Sequence, residues 1–291
     1  MVGKQEEALE KMDLALIISD VKKKKTLRAL DPSFVRKLIL EYFDKNRKVA
    51  RILESHPKFQ KSKEYKVMLK HLRRVLHEVY GVFNVSKRSL AELDTHLKKT
   101  GHLDAKALDI HSKILQSHKS TQERFPSYAP FYVSLFRITG KPKIILDLAC
   151  GLNPLSFPWM RLGEVTYYAY ELSPDDASFI QSYFDIMKKY SGLRGKAFSA
   201  DLLKTPMLPS CDVCFLFKAL DSLESLKKGI SLDLIRLIDA KFIVISFPTK
   251  SISGKKRLKE RSWFIKLVGD LGYSYKTIEL ENEIFYVVVK S

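Results

Sequence analysis

KIILDLACGLNP, residues 143–154, decides the fold. Four aliphatic residues in six lead into one glycine, an asparagine and a proline, the pattern of a buried strand that ends in a tight turn before a helical start. In an open parallel sheet the turn after the first strand lies beneath the ligand, at the point where the strand order reverses. A dinucleotide pyrophosphate needs several glycines there, so that backbone amides close on the phosphates at a helix N-terminus. Only Gly151 is available. The stretch therefore reads either as a plain structural turn or as the floor for a cofactor without a phosphate.

Downstream, the same strand-like composition recurs as VTYYAY (165–170), GKAFSA (195–200), DVCFLF (212–217), KFIVIS (241–246), YSYKTIEL (273–280) and IFYVVV (284–289). Helical stretches such as PDDASFIQSYFDIMKKY (174–190) and KERSWFIKLVGDL (259–271) lie between them. The first five strands are spaced for right-handed crossovers in a parallel sheet. The last two flank only Glu281, Asn282 and Glu283 and predict an antiparallel hairpin at the sheet edge. The expected fold is α/β, a Rossmann-like seven-stranded sheet.

Glu171 closes the second strand, 20 residues past Gly151, the separation at which an acid accepts from ribose hydroxyls. Asp201 follows the third strand, where a carboxylate can accept from an adenine amino group. Each acid alone could be a helix cap. Together with a single-glycine loop they point to S-adenosylmethionine, and so to a seven-stranded sheet of the class I methyltransferase type.

Upstream of about residue 140 the apolar residues repeat at three and four, so the chain is helical there. Ser120-Thr121-Gln122-Glu123 has capping-box spacing, which predicts a helix start at Ser120 with Glu123 returning to the cap and Arg124 in the first turn. The expected division is a basic, all-helical N-terminal region over 1–117 and a methyltransferase domain over 118–291. Lys and Arg outnumber Asp and Glu by 51 to 33, and residues 1–125 hold 28 of the former against 16 of the latter. A positive field of that size attracts a polyanion, nucleic acid before an anionic membrane. Lys22 to Lys25, Arg73 and Arg74 are candidate contacts, although cationic runs on helices also serve as solvated faces.

No stretch approaches 18 consecutive apolar residues and the start lacks a secretory pattern, so a cytoplasmic protein is expected, as a monomer. Cys150, Cys211 and Cys214 cannot build a disulfide framework. Cys211 and Cys214 have the spacing of half a zinc site without a second half, and no metal is expected.

With these residues in place, the chain resembles the ribosomal RNA methyltransferases that confer aminoglycoside resistance by methylating N7 of a guanine in the small-subunit decoding site. The motifs that carry the resemblance are HKSTQER (118–124), LDLACGLNPL (146–155), FKAL (217–220) and SFPTKSISGKK (246–256). The resemblance implies that His118, Lys119, Ser120 and Arg124 close over the cofactor, with Arg124 on its carboxylate. Ala149 and Gly151 would line the methionine side, Glu171 hold the ribose, and Asp201 with Leu202 flank the adenine. Phe217 would pack on the cofactor and Lys218 orient the base, while the loop carrying Lys250, Lys255, Lys256 and Arg257 would touch small-subunit rRNA. Two positions depart from the family pattern: Glu171 replaces an Asp, and Asp221 replaces the proline of FKLLP-type members.

The chemistry agrees. Guanine N7 carries an in-plane lone pair and no proton, so its methylation requires alignment without a general base. All seven histidines lie at or before residue 118, which disfavours histidine-assisted hydrolysis in the sheet domain. The alternatives are a methyltransferase for another RNA base or a small molecule, and a non-catalytic RNA-binding relative.

Overall fold

The computed structural model describes residues 13–24, 27–28, 30–55, 58–79, 87–249 and 261–290, and the chain forms two compact units, Met1–Val82 and Phe83–Ser291. Among the described residues no helix is long and apolar enough to cross a membrane.

The first unit contains α1 (Leu14–Lys22), α2 (Pro32–Lys45), α3 (Arg47–Ser55) and α4 (Lys63–Val79). Asp13 and Asp31 cap α1 and α2 by accepting from the amides of Leu16 and Ser33, and Pro32 opens α2 where its missing N–H costs nothing. The apolar faces meet in a core that includes Ile17, Val21, Ile39, Met68 and Leu72. At its margin the buried carboxylate of Asp20 accepts from Tyr65 Oη at 2.7 Å and Gln60 Nε2 at 3.0 Å, and pairs with Lys23. Arg73 Nη2 donates to the backbone carbonyl of Asp20 at 2.6 Å. One residue of α1 thus ties down α4 and the turn before it.

The second unit begins with α5 (Lys87–Thr100), α6 (Ala105–Gln116), α7 (Lys119–Arg124) and α8 (Tyr128–Thr139). The strands are β1 (Ile144–Leu148), β2 (Val165–Glu171), β3 (Leu193–Ser199), β4 (Cys211–Phe217), β5 (Ala240–Pro248), β6 (Ser274–Leu280) and β7 (Glu283–Val289). They form one sheet in the order β3-β2-β1-β4-β5-β7-β6, parallel through β5, with β7 antiparallel to both of its neighbours. The strand order reverses beside β1, as expected for the Rossmann-like sheet, and the final hairpin takes the edge. The helices between strands are α9 (Phe157–Met160), α10 (Pro174–Met187), α11 (Leu220–Leu226), α12 (Ile230–Leu237) and α13 (Ser262–Asp270). Ring packing brings α10 onto β3 at Gly195, where an added Cβ would lie 2.1 Å from Phe184 Cγ.

The division expected at 117/118 falls inside this second unit. Leu90, Leu93 and Leu97 of α5 and Ile110 and Ile114 of α6 are buried in the same core as Ile145, Tyr167 and Phe184 of the sheet layer. His111 of α6, fully buried, faces Tyr183 Oη of α10 at 3.3 Å. Apolar periodicity reveals that a helix has a face to bury, but not which neighbour will cover it.

Candidate functional site

The parallel strands end side by side, and each end delivers a polar group. After β1 the backbone takes positive φ at Ala149 (50°) and Gly151 (54°), which folds the loop back beneath the end of β2. Gly151 N donates to Glu171 Oε2 at 3.0 Å, and Leu172 N donates to Glu171 Oε1 at 2.8 Å. Burial and the nearby Asp176 carboxylate push the Glu171 carboxyl up to about 7, against those two amide bonds. Asp201 accepts from Leu203 N at 3.0 Å and caps a single helical turn that buries Leu202. The amide of Ala200 donates to the carbonyl of Glu171, which sets the third strand end against the second.

Beneath the loop lies Asp147, whose Oδ2 accepts from Tyr167 Oη at 2.6 Å and Asn153 Nδ2 at 2.9 Å. Burial pushes this carboxyl up to about 7 despite both bonds, and its Oδ1 is buried with no hydrogen-bond partner among the described residues. Asn153 turns its oxygen toward Arg124 Nη1 at 3.2 Å. The cofactor-type loop is therefore bonded to α7.

Arg124 is the hub. A guanidinium has five N–H donors, and each has an acceptor here: Nε and Nη2 bind Glu283 in a fork at 3.1 Å each, Nη2 also reaches Ser120 Oγ, and Nη1 reaches Asn153 and Tyr128. Its plane lies over the Phe217 ring, 4.8 Å from the centroid. Burial would raise the Glu283 carboxyl, but Arg124 and Lys218 outweigh it and hold the group below its ordinary value. Lys218, just past β4, has φ 54° and donates its backbone N–H to Ser246 Oγ and O, while its Nζ lies 2.8 Å from Glu123 and 3.1 Å from Glu283. Ser246 Oγ completes the group by donating to Glu283.

Burial pushes the thiols of Cys150 and Cys214 well above their ordinary value and that of Cys211 up to about 12. None of the three is available as a thiolate nucleophile near neutral pH.

Residues 46–287 match the family model described as ribosomal RNA methyltransferase (FmrO). The chain belongs to this FmrO family. A curated relative, the 16S rRNA (guanine(1405)-N(7))-methyltransferase of Micromonospora echinospora, is 31% identical over 230 residues, covering 76% of this chain and 82% of its own. Among solved structures, the 16S rRNA methyltransferase RmtF in complex with S-adenosyl-L-homocysteine superposes with a TM-score of 0.68 at 22% identity, covering 96% of this chain and 100% of its own. An rRNA methylase from Escherichia coli gives 0.65 at 21% identity over the same shares. These two likenesses establish a common fold.

In this FmrO-family chain most of the residues expected at the site converge. Ser120, Arg124, Phe217 and Lys218 form one bonded group, and Ala149, Gly151 and Glu171 a second, with Asn153 joining them. His118 is buried at the head of α7, whereas Lys119 is exposed and its Nζ stands 3.8 Å from Glu123. The expected capping box is not made. The helix runs Lys119–Arg124 with His118 at its cap and no side-chain cap bond, because Ser120 is taken by Arg124 and Glu123 by Lys218. Of the expected RNA contacts, Arg74 is exposed on α4, while Arg73 is half-buried against Asp20. Lys250, Lys255, Lys256 and Arg257 lie outside the described residues. Asp221, in place of the family proline, pairs through its carboxylate with Nε and Nη2 of Arg261 at 2.9 and 2.7 Å.

The sequence does not single out Glu283, and it places Ser246 only at the start of the segment expected to touch RNA, whereas Ser246 is fully buried in β5. Glu283 sits in a run of acids that reads as a hairpin turn, and its ion-pair partner is 159 positions away. No local pattern marks such a residue; a charge opening an otherwise apolar strand is the only trace.

Proposed function

We propose that this FmrO-family enzyme transfers a methyl group from S-adenosylmethionine to N7 of a guanine in small-subunit (16S-type) rRNA near the decoding site. The observation that carries the cofactor reading is the Gly151–Glu171 contact: one glycine closes the loop on a buried carboxylate whose position two backbone amides fix. Its remaining lone pairs suit a ribose diol, and the loop has none of the extra glycines a pyrophosphate requires. The residues fit the group. Asp147 Oδ1 adds a buried acceptor beneath the loop, and Ala149, Gly151, Asp201, Leu202 and Phe217 supply the walls. Arg124 would meet the carboxylate by exchanging Ser120 Oγ, the one of its acceptors that is not fully buried. His118 and Lys119 flank the same helix start.

Bound S-adenosylmethionine supplies an electrophilic methyl on a sulfonium. The residues of this chain bind, orient and exclude water. N7 has no proton to lose, so neither Asp147 nor Glu171 is needed as a base. Lys218 would orient the guanine, and the basic N-terminal residues, with the segment holding Lys250, Lys255, Lys256 and Arg257, would hold RNA phosphates. The names of the curated relatives support the guanine N7 target. Ribosomal RNA as substrate makes the cytoplasm the working compartment, and the enzyme is read as a monomer.

The test is incubation with small ribosomal subunits and labelled cofactor, followed by mapping of the modified base. N7 label on one guanine is expected. Label that enters only small molecules, or cofactor binding with no transfer to RNA in intact subunits or assembly intermediates, rejects the reading.

A further inference from the structure

Lys218 is gripped from two sides by carboxylates that belong to different elements. Glu283, on β7, is already balanced by the fork of Arg124. Glu123, on α7, is therefore the carboxylate left to balance the Lys218 charge, and its Oε2 stands 2.8 Å from Nζ with the lysine side chain only 14% exposed. The backbone is fixed as well, at φ 54° and bonded through its amide to Ser246. A lysine in solution is a mobile point charge on a flexible stem with three rotatable donors. With two of those donors committed to Glu123 and Glu283, the tetrahedral geometry at nitrogen sets the direction of the third.

We propose that Glu123 is a positioning residue that, together with Glu283, aims the third N–H of Lys218 at the O6 carbonyl of the target guanine. The proposal rests on the guanine N7 reading above. Guanine presents N7 and O6 side by side as acceptors, whereas adenine places an amino donor beside its N7. A fixed donor at O6 leaves the N7 lone pair free for the methyl and meets adenine donor to donor, which strands both groups. Polar mismatches of this kind discriminate far more strongly than a change of pocket volume. The same pair of carboxylates links the two halves of the site, because Glu283 shares Lys218 with Glu123 and Arg124 with the cofactor loop.

Glu123 is partly exposed, so its variants should fold, and calorimetry and melting check that. Glu123→Ala is expected to lower single-turnover methylation of reconstituted small subunits by roughly 10- to 100-fold, the cost of a reacting group held out of line. Cofactor affinity and melting temperature should stay at wild-type values, and Glu123→Gln, which keeps an acceptor oxygen, should recover part of the rate. A target site carrying 2-aminopurine, which lacks O6, should slow the wild-type enzyme at least as much, and the two losses should not add. Glu123→Ala within twofold of wild type, wild-type indifference to 2-aminopurine, or fully additive losses would each overturn the proposal. Wild-type enzyme that binds cofactor yet leaves N7 of every guanine unmodified would instead overturn the function on which it rests.

Discussion

Lys218 adopts φ 54°, a region that costs a residue with a side chain about 1–2 kcal/mol relative to glycine. Lys218→Gly and Lys218→Ala both remove the cation from Glu283, so the difference between them isolates the backbone. The glycine variant should be the more stable by about 1 kcal/mol in denaturant melts, with methyl transfer lost in both; equal stability would show that the conformation is unstrained. Glu171 allows a pH prediction. Its folded pKa of about 7 lies above the usual value near 4, so the neutral form is favoured in the fold and stability drawn from this group falls as pH rises from about 4 to 7. Ribose hydroxyls donate to the ionised form, so cofactor affinity should rise with pH through the region of 7 and level off above it. Calorimetry in buffers of different ionisation enthalpy should find a proton released on binding at pH 6, and Glu171→Gln should flatten the profile. Glu171 was legible in the sequence because its separation from Gly151 is set by one crossover. The family resemblance singles out Arg124, but nothing in the sequence shows its saturation by Glu283, since that pair closes over 159 positions.

The strands, the parallel run of the first five and the edge hairpin were readable from β-branched runs and short connections, because a parallel sheet allows one hand of crossover. The place of β7 between β5 and β6 was not. What periodicity could not supply was the partner of α5 and α6, whose leucines join the sheet core instead of the N-terminal helices. Two element-level contacts can be tested. Gly195 lets α10 lie on β3, and Phe184, only 1% exposed, has nowhere to move. Gly195→Ala should therefore destabilise the sheet unit by about 1–3 kcal/mol, the usual range for overpacking, seen as a lower midpoint in denaturant. A neutral outcome would mean that the ring can shift. In the N-terminal unit, Asp20 joins α1 to α4 through Tyr65 and, by way of Gln60, to the preceding turn. Burial alone would raise this carboxyl, but bonds from Lys23, Tyr65 and Gln60 bring it below its ordinary value. Its contribution is present above the unfolded pKa and is lost as pH falls through the lower, folded one. Asp20→Ala should melt this unit earlier at neutral pH and make it indifferent to acid in that window, by circular dichroism of the whole chain.

At the scale of the molecule, charge divides unevenly. Residues 1–82 hold 20 Lys and Arg against 11 Asp and Glu, close to half of the chain's net charge in little more than a quarter of its length. Within that unit Lys66, Lys70 and Arg74 are exposed on α4, and with Lys24, His71 and the half-buried Arg73 they line an open groove of about 690 Å³. Positions 66, 70 and 74 are four apart, so the three cations share one helix face. If this face holds RNA phosphates, binding releases one set of counterions per contact and the affinity falls steeply with salt. Replacing all three by Ala should lower the slope of log affinity against log salt by about 2–3, at roughly 0.7–0.9 per lost contact, while cofactor affinity stays unchanged. Arg73→Ala provides the contrast. Its guanidinium pins the Asp20 carbonyl, so that variant should lose stability in the N-terminal unit before it loses any salt dependence, although it sits beside Arg74 in sequence. A triple variant with the wild-type salt slope would remove this face from the RNA contact and leave the cations of α4 as a solvated surface.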